Sequence, residues 1–174
     1  MVTQEIEHSM REGRLLLFEV GDQDFCLPVE SVREVIHMPT LSRPPVVPSI
    51  LEGFLNLEGA AVAVVRLDMV FGFSRQAVDA YTPLIVLRQA EIPIALMVQR
   101  VIGIRSVPSN SFLPLQSNAC FNGCIEADIQ LDTGVVHVVS VRRLLLERER
   151  RTIAEFQTLE AIRVHNLNLV VPQA

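Results

Sequence analysis

The chain contains no lysine and no tryptophan, and only one tyrosine and three cysteines. Its 15 basic residues are all arginines, set against 20 carboxylates for a formal net charge of −5. A protein that tracks phosphate backbones carries a basic excess, so nucleic acid is not expected as a partner. Aromatic residues make up 5% of the chain, too few to supply base-stacking platforms. The odd cysteine count, Cys26, Cys120 and Cys124, argues against a disulfide framework and for reduced thiols in a cytosol. Long hydrophobic runs are also missing. Stretches such as Ala60 to Val65 fall far short of the roughly 20 residues of a spanning helix, so no direct membrane insertion is expected. Met1 to Arg14 is polar and acidic and does not read as a secretory signal. There is no Gly-rich phosphate loop and no Gly-x-Ser-x-Gly elbow.

What the chain does have is apolar character. Of its 174 residues, 49% are hydrophobic and the mean hydropathy is +0.35. A chain of this length buries roughly 70% of its unfolded surface without metal or disulfide staples. Most of it reads as short strands. Leu15 to Val20 and Asp24 to Pro28 flank the turn signal Gly21-Asp22, and Gly53 to Leu57 and Ala60 to Leu67 flank Glu58-Gly59. Val29, Val32 and Ile36 predict a short helix over 30–36. A proline-rich stretch from Pro39 to Pro48 predicts a stiff connection. Asp68 to Phe71 reads as one helical turn closed by Gly72. Strands follow at Pro83 to Leu87, Ile92 to Val98 (after a turn at 89–91) and Val101 to Pro108. A polar excursion over 109–118 precedes a last pair, Gly123 to Leu131 and Val135 to Val141, joined at Asp132-Thr133-Gly134. Two sets of five strands at even spacing predict a mainly β fold of two small barrels side by side, with short helices and a C-terminal helix. The first barrel is expected over about 15–72, the second over about 83–141, with a flexible N-terminus at 1–13.

Catalytic constellations are scarce. His8, His37, His137 and His165 are scattered, and His137 sits inside an apolar strand, where a satisfied strand histidine is expected. Cys120 and Cys124 lack the further ligands of a zinc site and read as structural thiols; no metal or cofactor is implied. One catalytic alternative stays open, a small β-barrel hydrolase drawing on His37, His137, Cys120, Cys124, Asp128 and Asp132. The lack of motifs otherwise points to a binding module.

The run Ile50-Leu51-Glu52-Gly53-Phe54-Leu55-Asn56-Leu57-Glu58-Gly59, followed by an apolar strand to Arg66-Leu67, resembles a signature of the CheW family of chemotaxis coupling proteins. So do Val32-Arg33-Glu34-Val35-Ile36, the strand over 98–108, and the final hairpin with its leucine-rich sequel over 123–146. Together these place a CheW-like domain at about 14–150. The resemblance implies two five-stranded, Src-homology-like barrels around a shared core, no enzymatic activity, and no cofactor. It implies two partners: the tip of a methyl-accepting chemoreceptor and the regulatory domain of a CheA-type histidine kinase. It implies a cytoplasmic location at receptor arrays under the inner membrane. The receptor-binding groove would include Val32, Gly53, Ala95, Val101 and Ile104, with Gly53 allowing close approach; the kinase side would lie near Val29 and Ala61. Glu34, Asn56, Glu58, Gly59 and Arg66 occupy polar motif positions.

Two departures from the family pattern stand out. Glu58 replaces an arginine expected to pair with the acid at Glu34, so two carboxylates face each other unless Arg33, Arg43 or Arg66 compensates. Arg66-Leu67-Asp68 reverses the family's Asp-Leu-Arg. A concerted change of sign at Glu58 and Arg66 would re-address one surface to a different partner, or make the protein a decoy that binds only one of them. Beyond the domain, Ser140 is expected to cap a helix over about 142–165. Its stripe of Ile153, Phe156, Leu159 and Ile162 is expected to pack back on the barrels, with a short strand or disordered tail at 166–174.

Overall fold

The computed structural model describes residues 13–88, 92–113, 115 and 121–170. Eleven strands and two helices form among them: β1 (Arg14–Val20), β2 (Gln23–Pro28), β3 (Val32–His37), β4 (Leu51–Leu57), β5 (Ala60–Arg66), α1 (Leu67–Val70), β6 (Pro83–Leu87), β7 (Ile94–Met97), β8 (Arg100–Ser106), β9 (Phe112–Leu113), β10 (Ile125–Leu131), β11 (Gly134–Val139) and α2 (Glu147–Val170). The expected hairpins form where the turn chemistry demands them. Gly21 and Asp22 have φ of 55° and 62°, and Glu58 and Gly59 have φ of 53° and 87°. Two successive positive φ values match the twist of an antiparallel pair. The expected turn at 89–91, residues 114 and 116–118 of the excursion at 109–118, Cys120 and the flexible N-terminus at 1–12 lie outside the described residues.

The strands assemble into two sheets, of six and five strands. Their orders are β8-β1-β2-β11-β10-β9 and β3-β6-β7-β5-β4. This corrects the expected division of the strands into 15–72 and 83–141. β1 and β2 leave their neighbours in sequence and join β8 to β11, while β3 to β7 make the second sheet alone. The deciding contacts are two parallel pairings, β2 with β11 and β5 with β7, which no turn sequence announces.

The expected helix over 30–36 is instead a 3-10 turn (Val29–Ser31) followed by β3. Val32 and Ile36, which suggested one helical face, fall on opposite faces of β3: Val32 lies in the core between the sheets and Ile36 packs behind the second sheet. A bulge at Arg33 sets Val32 opposite Leu87 and Val35 opposite Ile85, so these two valines share one sheet face.

α2 starts later than expected and runs on to Val170, so the anticipated strand or disordered tail is helical over 166–170, while 171–174 lie outside the described residues. Ser140 does not cap it: Ser140 precedes a 3-10 turn (Val141–Arg143) and makes no side-chain cap hydrogen bond there, and Glu149 instead accepts the Leu146 amide at 2.7 Å. The helix does pack back on the domain, against β5 and β4. Its inner face keeps only the first half of the expected stripe, Ile153 and Phe156, which pack on the core. Ile153, Gln157 and Glu160 are buried, whereas Leu159 and Ile162 are more than half exposed. Steps of three residues rotate 300° on a helix, so Ile162 ends up opposite Ile153.

The main core lies between the sheets. Leu16, Phe18 and Phe25 from the first meet Val32, Phe54, Val65, Ile85 and Leu96 from the second, with Ile153 of α2. Each sheet also buries its other face. Leu15, Leu17, Ile129 and Val138 pack behind the first; Leu55, Val64, Leu84, Ala95 and Met97 pack behind the second. Both faces being covered explains why β1 and β5 read as unbroken apolar runs rather than alternating ones. At roughly 1.5–3 kcal/mol for each fully buried aliphatic side chain, these layers dominate the stability.

Candidate partner-docking surfaces

β8 and β3 are edge strands, one in each sheet. On β8 a bulge at Ile102 sets Val101 opposite Phe18 and Ile104 opposite Leu16. Directly opposed residues project from the same face, and Leu16 and Phe18 line the inter-sheet core. Val101 and Ile104 therefore extend that core outward; Val101 is half-buried and Ile104 is 54% exposed. β3 repeats the arrangement. Val32 is buried in the shared core, and Val35, on the same face, is 42% exposed. Each sheet thus carries its core face past its own edge as a solvent-facing apolar residue.

The other two expected groove residues are not at the surface. Ala95 is fully buried behind the second sheet among Leu55, Val64, Leu84 and Met97. Gly53 is buried too, and its chain neighbours in space are its own: a Cβ there would lie 2.7 Å from the Ser42 carbonyl oxygen. Phe54 and Ser42 exchange backbone hydrogen bonds at 2.8 Å, so the close approach that needs glycine is made by the proline-rich segment of the chain itself. Val35 was the residue that sequence reasoning missed, because a strand with a bulge does not follow strict alternation.

Glu58 is held by Arg33. The Arg33 guanidinium donates to Glu58 at 2.7 Å and lies 3.3 Å from Glu34, so one arginine serves both acids. Arg43 and Arg66 take no part. Asn56 accepts the Gly59 amide at 2.9 Å and closes the turn. This cluster is exposed to solvent.

Arg66 is a different case, and the expected pairing of its sign with that of Glu58 on one surface does not hold. Arg66 is only 1% exposed. It donates to Asp68 through Nε at 3.2 Å and Nη2 at 2.7 Å, to Glu52 at 2.6 Å, and to the Gln76 carbonyl at 2.8 Å. Burial alone would raise the Asp68 carboxyl. The hydrogen bonds and charge of Arg66, with the amides of Gln76 and Met69, outweigh burial and hold it below the usual carboxylate range. Arg43 and Arg75 reach Glu52 from outside at 2.9 and 3.2 Å. The reversal Arg66-Leu67-Asp68 therefore forms an internal clamp that ties β5 and α1 to the loop at Gln76. Glu52 is the member that sequence reasoning missed, since nothing local couples it to Arg66.

On the expected kinase side, Val29 is half-buried against the shared core. Ala61 is nearly covered by α2: the Gln157 amide donates to the carbonyls of Ala61 at 3.2 Å and Pro93 at 2.6 Å. Glu160 accepts from the Ser42 hydroxyl at 2.6 Å and from Arg163 at 2.8 Å.

Among the described residues of the hydrolase alternative, Asp128 and His137 meet. His137 Nδ1 lies 2.7 Å from Asp128 across the β10–β11 pair, with its ring 5.2 Å from Phe121 and 5.5 Å from Phe25. It is the satisfied strand histidine expected. His37 is on β3 of the other sheet, Asp132 is in the exposed β10–β11 turn, and Cys124 is buried with its thiol donating to the Phe121 carbonyl. Burial pushes that thiol up to about 11, so it is not an activated nucleophile. Among the described residues no three His, Cys, Asp or Glu side chains are placed to share a metal ion, and no helix is long and apolar enough to cross a membrane.

With this geometry in hand, similarity to known proteins can be placed on it. The family described as CheW-like domain matches residues 14–149, which include all eleven strands. The chemotaxis protein CheW of Thermotoga maritima is 27% identical over 102 residues, 59% of this chain and 67% of that protein. The chemotaxis protein CheW of Rhizobium meliloti is 28% identical over 114 residues, 65% and 74% respectively. Among solved structures, the scaffolding protein TtCheW from Thermoanaerobacter tengcongensis superposes with a TM-score of 0.67 at 19% identity, covering 74% of this chain and 89% of that one. At that identity the superposition speaks for the fold alone.

Proposed function

The chain belongs to the CheW-like domain family, and on that premise we propose that it is a non-catalytic adaptor coupling chemoreceptors to a CheA-type histidine kinase, in chemotaxis or a related chemosensory system. The observation that carries this reading is the family match across the whole two-sheet body. The receptor tip, a helical hairpin in this family, would lie along the apolar margin of the inter-sheet core, touching Val101 and Ile104 and flanked by Val35. That is helix-in-groove recognition, in which a few exposed aliphatic anchors supply the contact. The kinase regulatory domain would dock on the side marked by Val29 and Ala61. Moderate affinities suit such a part, because avidity in an array adds to each contact. Location would be cytoplasmic, beneath the receptors.

Separate titrations of the purified chain against a receptor-tip fragment and a kinase regulatory domain, both from the same genome, test the reading. Binding to both is the expected result. Binding to neither overturns it. A one-partner accessory is the second reading, favoured by one observation: α2 lies over Ala61. Binding to the receptor tip alone, under every condition, would establish that role instead.

A further inference from the structure

α2 begins at Glu147 and the family match ends at 149, so almost all of the helix lies beyond the matched residues. Its seam with the sheet changes character along its length. Near the start, Ile153 is fully buried and Phe156 half-buried against the core. From Gln157 onward the contacts become polar. Gln157 and Glu160, both less than a tenth exposed, supply the buried face, while Leu159 and Ile162 point to solvent. The Gln157 amide holds the Ala61 and Pro93 carbonyls, at the start of the parallel β5–β7 pair. Glu160 accepts the hydroxyl of Ser42, an exposed residue on the segment that bridges to β4.

A seam made of hydrogen bonds to an amide, a carboxylate and a hydroxyl exchanges for water with little loss, whereas an apolar seam does not. The half of α2 beyond Phe156 is thus fastened by a polar latch, and its N-terminal half by apolar burial. The latch sits on Ala61.

We infer that α2 from Gln157 onward is an autoinhibitory cover over the kinase-docking face, held shut by Gln157, Glu160 and Ser42, and that it must lift before a kinase regulatory domain can dock. The inference rests on the coupling function proposed above. Its thermodynamic consequence is direct: kinase affinity is reduced by the fraction of molecules with the cover open, and receptor-tip affinity is not.

The test uses the full chain carrying Gln157→Ala with Glu160→Ala. Hydrogen exchange over 157–166 should accelerate. If the cover is open in about one molecule in ten, kinase affinity should rise about tenfold while receptor-tip affinity holds. Ser42→Ala breaks the latch from the sheet side with the helix sequence intact and should give a smaller rise; circular dichroism confirms that each variant is folded. Unchanged or weaker kinase binding despite faster exchange overturns the cover and leaves the coupling function standing. Receptor binding with no kinase binding by wild type or either variant overturns the kinase half of that function, and the cover with it.

Discussion

Arg33 on β3 donates to Glu58 at 2.7 Å, although β3 and β4 are opposite edges of the second sheet. In a flat sheet four strand spacings would keep those edges roughly 19 Å apart. The sheet therefore curls until the β4–β5 turn meets the first strand. The exchange of arginine for Glu58 is absorbed at this seam, because Arg33 neutralises Glu58 and Glu34 together.

Exchanging the two charges, Arg33→Glu with Glu58→Arg, should leave the thermal midpoint near that of the wild type, while each single change lowers it slightly. Both partners are solvated, so the effect should fade as salt rises. Strict additivity of the single shifts would mean that the pair does not couple the edges.

Arg66→Met should be costly. It strands Asp68 with its buried cation gone, while Glu52 keeps Arg43 and Arg75; breaking a buried pair costs about 3–5 kcal/mol. The pH dependence has a definite sign. Asp68 is held below its ordinary value, so its stabilisation is complete above the ordinary carboxylate range and disappears as pH falls through the lowered native value. Without the guanidinium, the carboxyl rises and acid unfolding should begin at higher pH. Denaturant titrations at several pH values would show both effects, and an unchanged acid midpoint would contradict the clamp.

Ile104→Glu separates docking from folding. Ile104 is largely exposed, so stability should move by no more than about 0.5 kcal/mol. Receptor-tip affinity should fall at least tenfold, a loss of about 1.4 kcal/mol or more. Val35→Glu should act in the same direction. Ala95→Leu should do the reverse, costing about 1–3 kcal/mol through overpacking at a fully buried site. Calorimetric binding and denaturation on the same variants would distinguish them; receptor binding unaffected by Ile104→Glu would remove β8 from the groove.

Gly53→Ala should destabilise the fold rather than block a partner. The added Cβ meets the Ser42 carbonyl oxygen at 2.7 Å, so the Ser42–Phe54 bridge must shift. A cost of about 1–3 kcal/mol is expected, as for other overpacked sites. Receptor affinity measured well below the melting temperature should be retained.

The thiols of Cys26 and Cys124 should resist alkylation at pH 8 in the native protein. Burial, helped by Glu126, pushes Cys26 up to about 12, and burial pushes Cys124 to about 11. Peptide mapping by mass spectrometry should find both unmodified until denaturant is added, because the thiolate is the reactive form. Native labelling at either site would mean that the core opens there.

The local elements were legible in the chain because their causes are local. Gly21-Asp22, Glu58-Gly59 and Asp132-Thr133-Gly134 demand tight turns, and apolar runs beside them demand buried strands. Motif order was legible as well, which is why the family could be named from residues 14–150. Val101 and Ile104 were named together from sequence, but the bulge at Ile102 is what sets them on one face. The rest was decided by long-range contact. Which hairpins share a sheet depends on parallel pairings between distant strands. That Ala95 is interior and Ile104 exterior depends on which faces those sheets cover. Arg66, a surface charge in the one-dimensional reading, is an internal clamp because Glu52 and Asp68 close on it from two sides. The helix stripe held at Ile153 and Phe156 and broke at Leu159 and Ile162 for a related reason: seating on the sheet beyond Phe156 is set by where Ala61, Pro93 and Ser42 offer hydrogen-bonding partners, and those fall opposite Gln157 and Glu160. The sequence by itself determined the turns, the strands and the family. Only the tertiary structure decided which side chains meet water, since burial belongs to pairs of surfaces and not to either surface alone.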